Sequence, residues 1–575
     1  MKKIVVSNYY SPQATIARIP DGEPMDLFER AKALFFEGLA HFECGEYEQS
    51  EQLFGESLGL LPDRPSTLTN LALAQIRLGR VDAAETHCLR ALELEPQSPE
   101  GWLGLGLIAV HRADHAAGLD FFLRALGADP DCPEAWLNKG VCLLELKRPR
   151  ESLAAAERAV ALMPASVPAL LSRGAAREAT GDPVAALADF DLALALAPAL
   201  ADAHSLRGRV LQEIDRRAEA LEAWQSALAL TPSHLDTTNA LVGFHLSELV
   251  DVAEIARYSS AAAAANVERD LARLRTSGRI PDFHVFHDVE QSNYLIEAGY
   301  DFPGLRAAHT ALSEAYAAHQ ATRGHDCTIK QLTLSAAQIE AVACYRRAAP
   351  TCAVDASMEC LNPANNWRAI EEQYLDSCPE VVVIDDFLSP AALAELRRFC
   401  LTATVWNRDY FRQYLGAFPY DGFASPLHVR IGAELRRRLP RVCGPHRLEQ
   451  LWGFKYTSQL GGGINVHADF ARVNLNFWIT PDAANLDPAS GGLVVYDAPC
   501  PPNWGFAEYN QDEVAIYGLL RERGASKRVV TYRGNRAVLF NSNLFHETDR
   551  IDFAKGYENR RINVTYLFGR GLTTY

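Results

Sequence analysis

No run of about eighteen apolar residues occurs in this chain, so no membrane-spanning helix is expected. No C-x-x-C pair occurs among its twelve cysteines. That removes zinc sites built on cysteine pairs and makes reduced thiols in a cytoplasmic protein the simplest reading. The start, MKKIVVSNYYSPQ, has two lysines but too short an apolar run for a secretory signal. Positive charge is in deficit: 56 Lys and Arg face 72 Asp and Glu, a formal net charge of −16. A general nucleic-acid binder should carry the opposite balance. What remains is a chain of 575 residues, 48% hydrophobic and 22% charged, with the composition of a soluble globular protein. It is too long for one ordinary core and is expected to form a multidomain protein.

The first half repeats itself. Pro62, Pro96, Pro130, Pro164, Pro198 and Pro232 follow one another at a fixed period of 34 residues. A small residue stands 24 places before each proline: Gly38, Ala72, Gly106, Gly140, Gly174 and Gly208. Another stands five places before: Ser57, Ala91, Ala125, Ala159, Ala193 and Ala227. A bulky ring falls eight places before four of the six: Phe54, Phe122, Phe190 and Trp224. Small residues let two antiparallel helices approach closely, and large ones fill the gap to the next pair. The proline ends the second helix because it lacks the amide another turn needs. This period and pattern resemble the tetratricopeptide repeat (TPR), here six units over residues 31–233 after an N-terminal segment, 1–30. Such arrays stack into a solenoid whose concave face usually binds a protein or peptide, which is recognition without chemistry. The same array could instead dimerise the protein or space its domains. His234-Leu235-Asp236 falls where a following helix should begin, and i, i+2 positions on a helix face apart, so it is not read as a ligand pair.

Residues 234–378 read as a helical linker region. Phe283-His-Val-Phe-His-Asp288 reads as a capped surface loop rather than a metal site, and Leu361-Asn-Pro-Ala-Asn-Asn-Trp367 as a connector. From about Glu380 the grammar turns to short strands. The β-branched run Glu380–Asp386 precedes a helix capped by Ser389 with Pro390 at its first position. Strand-like segments then cover residues 451–457, 464–470, 473–480, 492–496, 529–532, 537–541 and 561–568, which suggests a sandwich or jelly roll.

In Ile464-Asn-Val-His-Ala-Asp-Phe470, His467 and Asp469 would share one face of a strand. His546 follows the apolar run Ala537–Asn541 and a short turn. Two imidazoles and one carboxylate make the facial set that suits non-haem Fe(II) and leaves positions open. Arg561 and Asn563 share a face of the last strand, where a guanidinium can fork onto a carboxylate. Arg560, one residue earlier, faces the other way. Trp478 and Phe477 read as core. Asp497, Trp504 and Tyr509, between Asp469 and His546, fall in an insert of the kind that often rims a pocket.

His-x-Asp, a distal histidine and a downstream Arg-x-Asn, in that order, resemble the Fe(II)- and 2-oxoglutarate-dependent dioxygenases. The whole chain resembles the bacterial type in which TPR repeats precede that domain. The resemblance covers residues 379–575 and implies a double-stranded β-helix (jelly-roll) core. It implies Fe(II) on His467, Asp469 and His546, with 2-oxoglutarate chelating the metal and its far carboxylate on Arg561. Tyr456 matches a position that often hydrogen-bonds 2-oxoglutarate, and Asn563 stands where many members have serine. With dioxygen as the second substrate, the implied outcome is hydroxylation, with release of succinate and carbon dioxide. Three readings follow: a hydroxylase acting on a peptide or protein recruited by the TPR groove, a small-molecule hydroxylase whose array docks a partner, or a non-catalytic TPR adaptor. No nucleic-acid or membrane partner is expected, and the sequence does not disclose the oligomeric state.

Overall fold

The computed structural model describes residues 26–249, 252–322, 330–347, 358–410, 412–456 and 463–571. Most of the N-terminal segment 1–30, and Thr457, lie outside them. The chain divides into two compact units, Met1–Pro232 and Ser233–Tyr575.

The first unit is a stack of helical pairs. First helices begin at Pro65, Pro99, Pro133, Val167 and Ala201, and second helices at Tyr47, Val81, His115, Pro149, Pro183 and Arg217. Each second helix stops two residues short of its periodic proline, at Leu60, Leu94, Ala128, Leu162, Leu196 and Leu230. The small and bulky positions meet across each pair. A Cβ on Gly106 would lie 2.4 Å from the Phe122 ring, and one on Gly174 2.5 Å from Phe190. Gly38 with Phe54 and Gly208 with Trp224 repeat the arrangement. Glycine is required there because the ring occupies the space of a side chain.

The second unit opens with the helices Leu235–Glu248, Val252–Ser277, Asp282–Glu297 and Leu305–Thr322. His234 is the N-cap of the first, its Nδ1 accepting from the Thr237 amide at 3.3 Å, which fits its exclusion as a ligand. A two-stranded ribbon joins β1 (Arg279–Pro281) to β2 (Gln331–Thr333). The 283–288 segment is not the surface loop expected. It lies in a helix, and His284, His287 and Asp288 are buried. Asp288 there accepts from Arg346 at 3.1 Å, so the cluster is an internal ion-pair network. The connector at 361–367 is made of turns, with Asn366 capping the helix Trp367–Asp376.

Two antiparallel sheets follow. Their strands are β3 (Val381–Ile384), β4 (Arg408–Tyr410), β5 (Tyr414–Ala417), β6 (Leu448–Tyr456), β7 (Ala471–Trp478), β8 (Leu493–Pro499), β9 (Lys527–Val530), β10 (Ala537–Asn541), β11 (Leu544–Thr548) and β12 (Ile562–Arg570). The larger sheet has the order β3-β10-β7-β12-β6-β5-β4, and the smaller β11-β8-β9. Strand alternation sorts the larger sheet into two faces. Val473, Leu475 and Phe477 of β7, with Val564 and Tyr566 of β12, join a core built with the helices Pro390–Thr402 and Pro426–Arg438. Ser389 caps the first of these by accepting from the Ala392 amide. Leu246, Leu249, Ile255 and Phe283 enter the same core. The region read as a linker therefore helps to bury the outer face of the sheet. On the inner face, Tyr456, Trp478, Val538 and Phe540 share a second cluster with Leu493, Val495, Val530 and Leu544 of the smaller sheet. Among the described residues, no helix is long and apolar enough to cross a membrane.

Candidate metal centre

His467 and His546 face each other across a single antiparallel bridge. The His467 amide donates to the His546 carbonyl at 2.9 Å, and the reverse bond is 2.8 Å. The expected strand 464–470 does not form. Its neighbouring amides go to different elements, Ala468 to the Tyr509 carbonyl and Asp469 to the Ser542 carbonyl. The alternation survives without the ladder. Val466 and Ala468 pack with Phe545, Tyr509, Ile516 and Leu520, while His467 and Asp469 turn to the opposite side.

One ligand atom each from His467, Asp469 and His546 lies within 4.8 Å of the others. His467 Nε2 is 3.9 Å from Asp469 Oδ1, and His546 Nε2 is 3.5 Å from Asp469 Oδ2. The imidazole centroids are 4.3 Å apart. Each Nδ1 faces a backbone carbonyl, Asn465 at 2.7 Å for His467 and Leu544 at 2.9 Å for His546. A carbonyl only accepts, so Nδ1 carries the proton and Nε2 offers its lone pair to the centre. Burial, with His546 alongside, brings the His467 pKa down to about 4, which keeps that ring neutral.

Asn474, on β7, donates to Asp469 Oδ2 at 2.8 Å. The sequence reading missed it. The clue was a pair of asparagines at i and i+2 in an apolar strand, Asn474 and Asn476, both turned to the inner face. Asn476 donates to Thr565 Oγ1 at 3.1 Å.

Arg561 is 2% exposed yet has no carboxylate within ion-pair distance among the described residues. Its Nε donates to the Gly491 carbonyl at 2.7 Å and its Nη2 to Gly492 at 3.3 Å. Its Nη1 donates to Asn563 Oδ1 at 3.4 Å. The guanidinium lies 4.9 Å from the Tyr456 ring and 5.7 Å from the Trp478 ring. Burial pulls its pKa below the usual guanidinium value. Arg560 turns away and pairs with Glu290 at 2.6 Å. Tyr456 is buried beside Arg561 and Thr548, and its hydroxyl makes no well-formed hydrogen bond.

Several other inner-face atoms are buried without partners: Asn474 Oδ1, Asn476 Oδ1 and Trp478 Nε1. Trp478 thus has a polar edge in addition to the core role expected of it. Unpaired buried polar groups are costly, as is an uncompensated buried cation. The donors on this face, the Arg561 guanidinium, the Tyr456 hydroxyl and Trp478 Nε1, fit an anionic occupant, and two imidazoles with one carboxylate fit a divalent transition metal. Of the insert residues, Tyr509 is buried behind the ligands, Trp504 packs edge-on to Phe545, and Asp497 accepts from Ser526.

The tetratricopeptide repeat family model matches residues 69–131 and 122–167. No curated protein matches the chain. Among solved structures, YrrB, described as a TPR protein with an unusual peptide-binding site, is 24% identical with a TM-score of 0.28, over 32% of this chain and 96% of its own. PilF of Pseudomonas aeruginosa is 18% identical with a TM-score of 0.33, over 37% of this chain and 97% of its own. A thermophilic TPR protein of Thermus thermophilus is 21% identical with a TM-score of 0.29, over 32% and 99% respectively. The N-terminal region of this chain is therefore built from tetratricopeptide repeats.

Proposed function

We propose that the second unit is an Fe(II)- and 2-oxoglutarate-dependent oxygenase that hydroxylates a peptide or protein recruited by the repeats. The observation that carries this reading is the pairing of a two-histidine, one-carboxylate cluster with a buried arginine that lacks a carboxylate. Two antiparallel sheets sharing an inner core are the layout from which a double-stranded β-helix is built, and we read the fold as one.

His467, Asp469 and His546 would hold the metal. Arg561 would receive the far carboxylate of the keto acid, oriented by Asn563 and the Gly491 and Gly492 carbonyls. The Tyr456 hydroxyl supplies a further donor there. When bound, iron and the keto acid together supply the dioxygen activation that inserts oxygen into a C–H bond, releasing succinate and carbon dioxide. The protein's own part is to fix the imidazole tautomers through Asn465 and Leu544 and to hold Asp469 through Asn474. It also keeps water out with the cluster around Tyr456, Trp478 and Phe540. Tetratricopeptide proteins typically bind proteins or peptides, which supports a macromolecular substrate.

Anaerobic addition of Fe(II) and 2-oxoglutarate tests the reading directly. A weak visible charge-transfer band and, under air, succinate release are expected from wild type, and His467→Ala should lose both. A wild-type protein with neither would leave the repeats as an adaptor.

A further inference from the structure

A cavity of about 450 Å³ opens beside the edge strand β4. It lies between the end of the helix Val252–Ser277, the ribbon strand β1 and β4 itself. We propose that it binds a small anionic molecule bearing a phosphate or carboxylate group. Four guanidinium groups line it, Arg273, Arg279, Arg346 and Arg408, against two carboxylates, Asp270 and Asp409.

The acids are already engaged. Asp270 is approached by Arg269 at 3.2 Å and by Arg273 and Arg408 at 3.7 Å each. Asp409 Oδ1 lies 2.7 Å from His284 Nδ1. Arg346 Nη2 is 2.8 Å from His284 Nε2, and a guanidinium only donates. His284 Nε2 is therefore the acceptor, which leaves Nδ1 on the side facing Asp409.

Donors are left over. Arg279 is exposed at the mouth and has no carboxylate partner among the described residues. Arg346, at the floor, is 10% exposed, and its Nε has no partner although Nη2 reaches Asp288. Arginines placed from mouth to floor with unused N–H groups form a pathway for an anion. Leu274, Ile280 and Tyr410 add apolar wall, so the ligand has room for a carbon skeleton. The volume suits a metabolite-sized molecule.

Tyr410 also connects this cavity to the inner face. Its ring stacks on Tyr414 at 4.7 Å, and Tyr414 stacks on Tyr456 at 5.0 Å. The inference stands on the cavity alone and does not need the oxygenase reading.

The full-length protein is titrated calorimetrically with inorganic phosphate and, separately, with citrate, at fixed ionic strength. At least one should bind saturably, and which one does identifies the headgroup. Arg279→Glu combined with Arg273→Glu reverses two exposed charges. It should weaken that binding at least tenfold with an unchanged near-ultraviolet circular dichroism spectrum. Any phosphate held at Arg561 would be indifferent to these substitutions. Saturation by neither anion, or equal affinity in the variant, would overturn the proposal.

Discussion

Asn474 donates to Asp469 Oδ2 and is not one of the three candidate ligands, so its effect is on where the carboxylate points. Asn474→Ala should lower Fe(II) affinity by about 10- to 100-fold while leaving the fold intact, measured by competition with a chelator. Under the proposed function, Arg561 tells the keto acid apart from the metal. Arg561→Met should weaken 2-oxoglutarate by roughly 2–5 kcal/mol, more than tenfold in Kd, with Fe(II) affinity little changed. Equal loss of both would show that Arg561 holds the sheet rather than the keto acid. Acid should act through two buried imidazoles. Burial brings the His428 pKa down to about 3, and burial with His546 brings His467 to about 4, from an ordinary 6.5. Both rings are neutral when folded and take up a proton on unfolding below 6.5. Their contribution is complete above that pH and is lost as pH falls from 6.5 toward 4 and 3. Metal-free protein should lose about 1.4 kcal/mol per pH unit from each ring over that window. Urea unfolding at several pH values measures the slope, and His428→Gln should reduce it by one ring's share.

Among elements, the helical pairs give the sharpest contrast. Gly106→Ala drives a methyl into the Phe122 ring and should cost about 1–3 kcal/mol. In the unit that begins at Pro133, position 156 is alanine, and a Cβ on Gly140 meets nothing closer than 3.5 Å. Gly140→Ala should be neutral or stabilise by up to about 1 kcal/mol through helix propensity. Thermal unfolding of the two variants decides. The array was legible because a proline every 34 residues marks each helix end. The sheets were legible only in part. Residues 537–541 are a short continuous apolar run and form β10 with those limits. The strands Arg408–Tyr410 and Tyr414–Ala417 are too short for a period of two to show. The helix Pro426–Arg438 buries His428 and Glu434 beside its leucines, which blurs its apolar stripe. Residues 464–470 carry strand alternation without a strand, because the amides of His467, Ala468 and Asp469 bond to three separate segments. Side-chain pattern reports which way residues face. It does not report whom the backbone bonds.

At the scale of the molecule, the boundary expected at residue 378 crosses a continuous core. Leu246, Leu249, Ile255 and Phe283 pack with Leu396, Leu427 and Val564. A fragment of residues 233–575 should fold and bind Fe(II), whereas one of 379–575 should aggregate, because it exposes the surface those four residues cover. Circular dichroism and metal titration of both fragments would check this. Helix starts at Pro133, Val167, Ala201 and Leu235 are spaced by 34 residues, so the phase set in the first unit carries into the first helix of the second. Excising any single 34-residue stretch within the array, for example 99–132, joins equivalent points of the cycle. Every downstream boundary then keeps its place in the count. The array's reach is thereby adjustable in whole steps, by gene shortening or duplication alone, with no redesign of the junction.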